Sequence, residues 1–335
     1  MNDKEKQIDI LAIGDIAAEP FIKIKEAETE YDKHDDDWKL CLDYGGKVPY
    51  ESAEVCHAVG NSSNMAIAAS RLGLNSYLVS YIGNDSIGKE NLEKLNKENI
   101  HTDYINTIDG LESNFHYVLW YKGERTILVK HTDFPYSLPK DLIEPKWIYL
   151  SSLSSNSVSY HEEISKYIKS HLNVSLAFQP GTFQIKLGVD TLKDIYENTK
   201  VFFCNHEEAE KILGIEEKDI SKLTKMIYCF GPKIVVITDG ISGAYSYDGK
   251  ETLFMGAFYQ DSKTIESTGA GDAFSGAFIT ALSLDKGVRE ALMWGTINAM
   301  SVVQYVGPHK GLLNKEKMEE YIKNIPPESQ PKKID

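Results

Sequence analysis

Residues 265–280, IESTGAGDAFSGAFIT, constrain this chain more than any other stretch. Gly269, Ala270 and Gly271 are small residues of a tight turn, where backbone N–H groups can approach a ligand closely. From Ala273 onward Ala273, Phe274, Ala277, Phe278 and Ala281 have the spacing of a buried helix. A glycine-rich turn that opens a helix presents unpaired N–H donors and the positive end of the helix dipole, and so favours an anion. Asp272 sits inside that turn. A carboxylate there opposes a bound anion, which makes chemical sense if it takes a proton from a neighbouring nucleophile. Phosphoryl transfer to an alcohol uses such a pair, donors for the phosphoryl charge and a carboxylate for the hydroxyl proton. On these letters alone, a helix cap with Asp272 serving the first turn fits as well.

The run Ser267, Thr268, Gly269, Ala270, Gly271, Asp272, Ala273, Phe274 resembles the C-terminal signature of the ribokinase-like (PfkB) carbohydrate and nucleoside kinases. The resemblance implies that Asp272 is the catalytic base and that Gly269, Ala270 and Gly271 form the anion hole for the transferred phosphate. Glu266 stands where the family usually has Asp, at a position that helps hold a monovalent cation in some members. The implied cation is K+, and the longer side chain predicts weak activation by it.

The chain of 335 residues is long enough for one large α/β domain with an appendage. Its formal net charge of -14 excludes the basic footprint of a nucleic-acid binder but not a nucleotide substrate. Residues 1–14 are charged and then strand-like, without the apolar core of a signal peptide. No apolar run approaches membrane-spanning length. Cys41, Cys56, Cys204 and Cys229 show no paired spacing and read as reduced thiols of a cytoplasmic protein. The expected partner is therefore a small molecule, with neither nucleic acid nor membrane involved.

In chain order, residues 8–13 form an apolar strand that runs into Gly14 and Asp15, the kind of strand end at which open α/β sheets place ligands. Residues 18–58 read as short strands without helices around an acidic run at 32–37, and residues 114–130 as a hairpin turning at Lys122, Gly123 and Glu124. Both suggest a small accessory sheet or lid. Buried strands at 147–150, 174–178, 201–204 and 233–238 alternate with helices, the pattern of a mainly parallel sheet covered on both faces. The polar, proline-containing residues 326–335 are expected to be disordered. The resemblance spans roughly residues 8–313 and implies one domain over 1–325. Its fold would be ribokinase-like α/β: a three-layer α/β/α domain with a mainly parallel sheet and a small β-sheet lid, through which two copies would pair as a homodimer.

Asn61 and Asn64 lie in a polar turn at a helix start, where amides either cap the helix or meet sugar hydroxyls. The family carries Gly-Gly, three residues, Asn, and later Arg-Leu-Gly. Val59, Gly60, Asn64, Arg71, Leu72 and Gly73 resemble this, which implies substrate contacts by Gly60 and Asn64 with Asn61 beside them. Glu19 is either a surface glutamate or, at the spacing of the family's substrate-binding Asp, an acceptor for sugar hydroxyls, a task Asp15 could share. Asn205 reads as a helix cap. With Glu208 it resembles the family's Asn-x-x-Glu element, which implies that Glu208 helps hold Mg2+ through water. Thr238, Gly240 and Gly243 resemble the loop on the nucleotide phosphates and ribose, and Asn298 falls where the family closes over adenine. Gly123, Glu124 and Arg125 resemble a turn common in sugar and nucleoside kinases, from which Arg125 could reach the substrate, but an arginine in a hairpin turn is more often solvated and is left out of the site. The implied activity is ATP-dependent phosphorylation of a hydroxymethyl group on a small sugar, with a nucleoside as the alternative acceptor. The reading from a different class is a catalytically silent sugar or nucleoside sensor.

Overall fold

The computed structural model of the protein describes residues 7–34, 37–122, 124–257 and 264–335. Gly123 of the expected hairpin turn and the centre of the acidic run, residues 35–36, lie outside these. The main sheet has ten strands, in the order Lys332–Lys333, Thr252–Met255, Ala244–Tyr247, Ile234–Thr238, Thr199–Asn205, Ser175–Phe178, Trp147–Leu150, Ile10–Ile13, Ser76–Gly83, Ile105–Ile108. Every pairing from Ile234–Thr238 to Ile105–Ile108 is parallel, and the three strands at the opposite edge are antiparallel.

Alternation along the central strand shows why helices cover both faces. Ile10 and Ala12 pack into one core with residues of the helices Asn61–Arg71, Ala270–Ser283 and Val288–Val302. Leu11 and Ile13 pack into the other, with Tyr160, Ile164, Ile195, Leu223 and Ile227. Successive side chains of a strand point to opposite faces, so a strand apolar at every position requires a layer on each side. The fold is α/β, a mainly parallel sheet between two layers of helices, with a small separate sheet beside it.

The strand Ile10–Ile13 pairs with Trp147–Leu150 on one side and Ser76–Gly83 on the other, so the winding of the sheet reverses beside it. Ligands of open α/β sheets bind at such a reversal, outside the carboxyl ends of the strands. Asp15, Gln179 and Asn205 all stand at those ends.

The small sheet has the order Glu124–Leu128, Tyr117–Tyr121, Ala17–Ile24, Tyr50–Val59, with Asn114–Phe115 beside Ala17–Ile24. Glu28–Asp32 and Asp37–Cys41 form a separate two-stranded hairpin. Asp32 and Asp37, at the two ends of the acidic run, pair with each other in it. The long strand Tyr50–Val59 was legible only at its first residue, because its outer half is exposed and carries no apolar alternation.

The tail is ordered, contrary to expectation. Lys332–Lys333 joins the sheet edge against Leu253 and Phe254, and the Asp335 carboxylate accepts from Thr252 N and Oγ1, each at 2.7 Å. Edge pairing uses backbone donors and acceptors, which a polar segment supplies as well as an apolar one. Deleting residues 331–335 removes these bonds and uncovers the edge. We expect a loss of about 2 kcal/mol, at roughly 1 kcal/mol for each of two or so net hydrogen bonds, read as a melting temperature a few degrees below that of the full chain. An unchanged melting temperature would contradict the assignment.

Candidate active site

The helix Ala270–Ser283 begins three residues earlier than its apolar periodicity indicates. Gly269 is its N-cap, in the left-handed region at φ 76°, and a Cβ there would lie 2.4 Å from Pro308 Cβ. Ala270 and Gly271 are therefore first-turn residues rather than loop residues, which corrects their expected setting. Ala270 N–H already donates to the Ser267 carbonyl at 3.3 Å. The amides of Gly271 and Asp272 belong to the first turn, where a helix offers no partner.

Asp272 is buried, and three side-chain amides from two other elements hold its carboxylate. Asn61 Nδ2 donates to Oδ1 at 2.7 Å, Gln179 Nε2 to Oδ1 at 2.9 Å, and Asn64 Nδ2 to Oδ2 at 2.7 Å. Asn61 and Asn64 are three apart on the helix Asn61–Arg71 and share a face. They reach Asp272 because the two helices touch: a Cβ on Gly276 would lie 2.7 Å from Ala68 Cβ and 3.1 Å from the Met65 carbonyl. Gly60, the N-cap, has φ 119°, and a Cβ there would meet the Asp15 carbonyl at 2.5 Å. Burial raises the Asp272 carboxyl above its usual range, the amides of Asn64, Asn61 and Gln179 oppose this, and the charge of Glu19 pushes it further up. A buried carboxylate, ionised through hydrogen bonds yet raised in affinity for a proton, is suited to act as a base.

A cleft of about 650 Å³ opens in front of Asp272 and holds Asn61, Asn205, Glu208, Thr238, Gly240, Gly269, Ala270 and Gly271. It runs into an apolar cavity of about 140 Å³ that also contains Gly243, with Thr296, Ala299, Met300 and Val303 on its wall. Asn205 and Glu208 form a reciprocal cap: Asn205 N–H donates to Glu208 Oε2 at 2.9 Å, and Glu208 N–H donates to Asn205 Oδ1 at 2.8 Å. Burial raises the Glu208 carboxyl, and the charge of Asp272 adds to it. Glu207, Glu208, Asp239 and Asp272 all line the cleft, while among the described residues no cluster of three or more His, Cys, Asp or Glu could cage a metal. One or two carboxylates beside a phosphate site fit Mg2+, which keeps most of its waters and takes the rest of its ligands from the phosphates.

On the other side of Asp272, Glu19 is buried and its Oε1 lies 3.2 Å from His116 Nδ1. Asp15 Oδ2 lies 3.3 Å from His131 Nδ1, and Tyr136 OH donates to both Asp15 oxygens at 2.8 and 3.0 Å.

Two expectations are corrected by the structure. Asn298 is fully buried, donating to the Ala273 carbonyl at 2.9 Å and accepting from Leu313 N–H at 3.0 Å. It ties its own helix, Val288–Val302, to the helix Ala270–Ser283 and to the segment at Leu313, and the cavity wall is made instead by its neighbours Thr296 and Ala299. Arg125 is exposed, as expected, but it does not stand apart from the site. It reaches across the cleft mouth from the small sheet, donating to Glu266 Oε1 at 3.1 Å and to Ser267 Oγ at 2.9 Å. Glu266 is buried and accepts in addition from Thr268 N and Oγ1 and from Gly307 N. Gln179 was not singled out in the sequence, where its one signal is its place after an apolar strand.

Among the described residues no helix is long and apolar enough to cross a membrane. A family model described as pfkB family carbohydrate kinase matches residues 27–315. The chain is 26% identical over 274 residues to a ribokinase of Haemophilus influenzae, covering 79% of this chain and 87% of that one. It is 25% identical over 321 residues to an ATP-dependent 6-phosphofructokinase of Thermoanaerobacterium thermosaccharolyticum, covering 91% and 92%. The solved structure of an Arabidopsis thaliana ribokinase complexed with ribose and ATP superposes with a TM-score of 0.79 at 19% identity, over 95% of this chain and 100% of that one. With a buried carboxylate held at a helix N-terminus, a cleft in front of it and a family match over most of its length, the chain belongs to the pfkB family of carbohydrate kinases and is an ATP-dependent phosphotransferase with an alcohol group as acceptor.

Proposed function

We propose that the protein phosphorylates a hydroxymethyl group of a small, uncharged sugar. The observation that carries this reading is that Asp272, on the wall of the cleft, feels the charge of Glu19, one of a pair of buried acidic side chains. Asp15 and Glu19 would accept hydrogen bonds from sugar hydroxyls, and both are paired with histidines rather than with lysine or arginine. Two carboxylates that have no permanent cation paired with them among the described residues would repel a phosphorylated acceptor, at a cost of roughly 1 kcal/mol or more for each close like-charge contact.

A carboxylate offers about four lone-pair positions. Among the described residues three are taken, two on Oδ1 and one on Oδ2. The position left on Oδ2 would receive the acceptor hydroxyl and its proton. The N–H groups of Gly271 and Asp272 would face the phosphoryl oxygens as charge builds on them. Thr238, Gly240 and Gly243 would line the nucleotide's path, with its base in the apolar cavity against Ala299 and Met300. Glu208, and Asn205 through it, would hold Mg2+ by way of water, and the ion when bound would supply positive charge to the phosphates. The small sheet carries Glu19 and Arg125, so its closure would bring acceptor contacts and a cleft-side cation together and exclude water from the transfer.

Three outcomes test this. In a panel of free sugars, phosphosugars and nucleosides assayed for ADP release, a free sugar should give the highest kcat/KM and phosphosugars at least about tenfold less. A phosphosugar as the best acceptor would overturn the assignment. Asp272→Asn should lower kcat by roughly 10²- to 10⁴-fold with ATP affinity little changed, the usual worth of a positioned base. Near-normal turnover would remove Asp272 from the mechanism. For potassium we expect activation of less than about tenfold, equivalent to under about 1.4 kcal/mol of barrier, because the Glu266 oxygens already accept from Arg125, Thr268 and Gly307. A titration at constant ionic strength in a large organic cation reads it, and a rise of about a hundredfold or more would show that Glu266 exchanges these donors for an ion.

A further inference from the structure

We propose that His309 is a positioning residue for phosphoryl transfer, which through Asn64 keeps the Asp272 carboxylate ionised and aimed. The inference rests on the assignment of Asp272 as the base.

The polarity of the contacts is forced. Both Asp272 oxygens only accept, so the nitrogen of the Asn64 amide faces Oδ2, at 2.7 Å. The oxygen of the same amide then faces His309 Nε2 at 2.8 Å. An amide oxygen only accepts, so Nε2 must carry a hydrogen. Burial pushes the His309 imidazole down to about 3, and the charges of Lys94 and Arg71 reinforce this against Glu98. The ring is therefore neutral through the working pH range and has a single N–H, which the contact to Asn64 places on Nε2.

The loop around His309 is tethered at three successive residues. Gly307 N–H donates to Glu266 Oε2 at 3.3 Å, Pro308 packs on Gly269, and Arg71 Nη1 donates to the His309 carbonyl at 2.7 Å. Arg71 is held in turn by Glu98 at 2.8 Å, which also binds Lys94. Three consecutive residues thus touch the acidic residue before the anion turn, the N-cap of the turn, and the amide on the base.

Without the Nε2 donor, only Asp272 is left to distinguish the two ends of the Asn64 amide, and its orientation is less firmly held. Rotated by half a turn, it would set its oxygen against Asp272 Oδ2, which favours the protonated acid and leaves the acceptor hydroxyl without a base.

A pair of amide substitutions separates this from packing. His309→Gln places a donor near the Nε2 position, and His309→Asn places one near Nδ1, out of reach of Asn64. The Gln variant should keep kcat within about threefold of the wild type. The Asn variant should lose about tenfold, the worth of one hydrogen bond of about 1.4 kcal/mol, with KM for ATP within about threefold. The acid limb of its kcat–pH profile should move up by about half a unit or more, and that of the Gln variant should not move. Melting temperatures of both are measured alongside. Equal losses in the two variants with an unmoved acid limb would overturn the proposal, as would an Asn variant with normal turnover. Asp272→Asn is assayed in parallel: an active enzyme would overturn the base assignment and the relay with it, whereas an inactive one beside indistinguishable Gln and Asn variants would overturn the relay alone.

Discussion

The site depends on one electrostatic compromise, a buried carboxylate at the start of a helix kept charged by neutral donors. Taking an ionised carboxylate out of water is costly unless it is paired or hydrogen-bonded. At Asp272 the compensation comes from the amides of Asn61, Asn64 and Gln179, with no cation in contact among the described residues. The choice of neutral donors has a chemical consequence. An arginine or lysine in their place would hold the carboxyl far below its usual range and weaken it as a base, whereas amides leave burial as the dominant influence and its proton affinity raised.

The fold supplies these donors from separate places, which is why the packing has to be tight. Asn61 and Asn64 come from the helix Asn61–Arg71, which approaches the Asp272 helix as closely as Gly276 and Ala68 allow. Gln179 comes from the end of a strand on the far side of the winding reversal. Bulk added at Gly276 would part the two helices and lengthen two of the three hydrogen bonds together. The loop through Gly307 and Pro308 closes the arrangement from the third side, and it shares with Arg125 the task of satisfying Glu266.

Much of this was legible in the sequence where the signal is local. Strands apolar at every position predicted a two-faced sheet, and the turn at Gly269 to Asp272 pointed to the start of a helix and the carboxylate in its first turn. Asn61 and Asn64 were found as residues, but their partner was not, since a contact spanning 211 residues leaves no local trace. Gln179 is one polar letter after a strand. Arg125 reads as solvated in its hairpin and becomes a cleft residue only when the small sheet folds over the main one. Asn298 misled for the opposite reason: a polar residue in a buried helix suggests a ligand, yet it serves the carbonyl of Ala273 and the amide of Leu313. The tail escaped because strand pairing at an edge leaves no mark in side-chain pattern.

The most direct measurement is the pH dependence of kcat for the unaltered protein with both substrates saturating. If a buried, amide-held Asp272 takes the acceptor proton, kcat is full where that carboxyl is ionised and falls as pH drops through its raised value. The profile should show a single acid limb with its midpoint above the ordinary aspartate value of about 4. A kcat that stays constant down to about pH 4 would contradict the account, because the group that limits turnover could not then be a carboxyl whose proton affinity burial has raised.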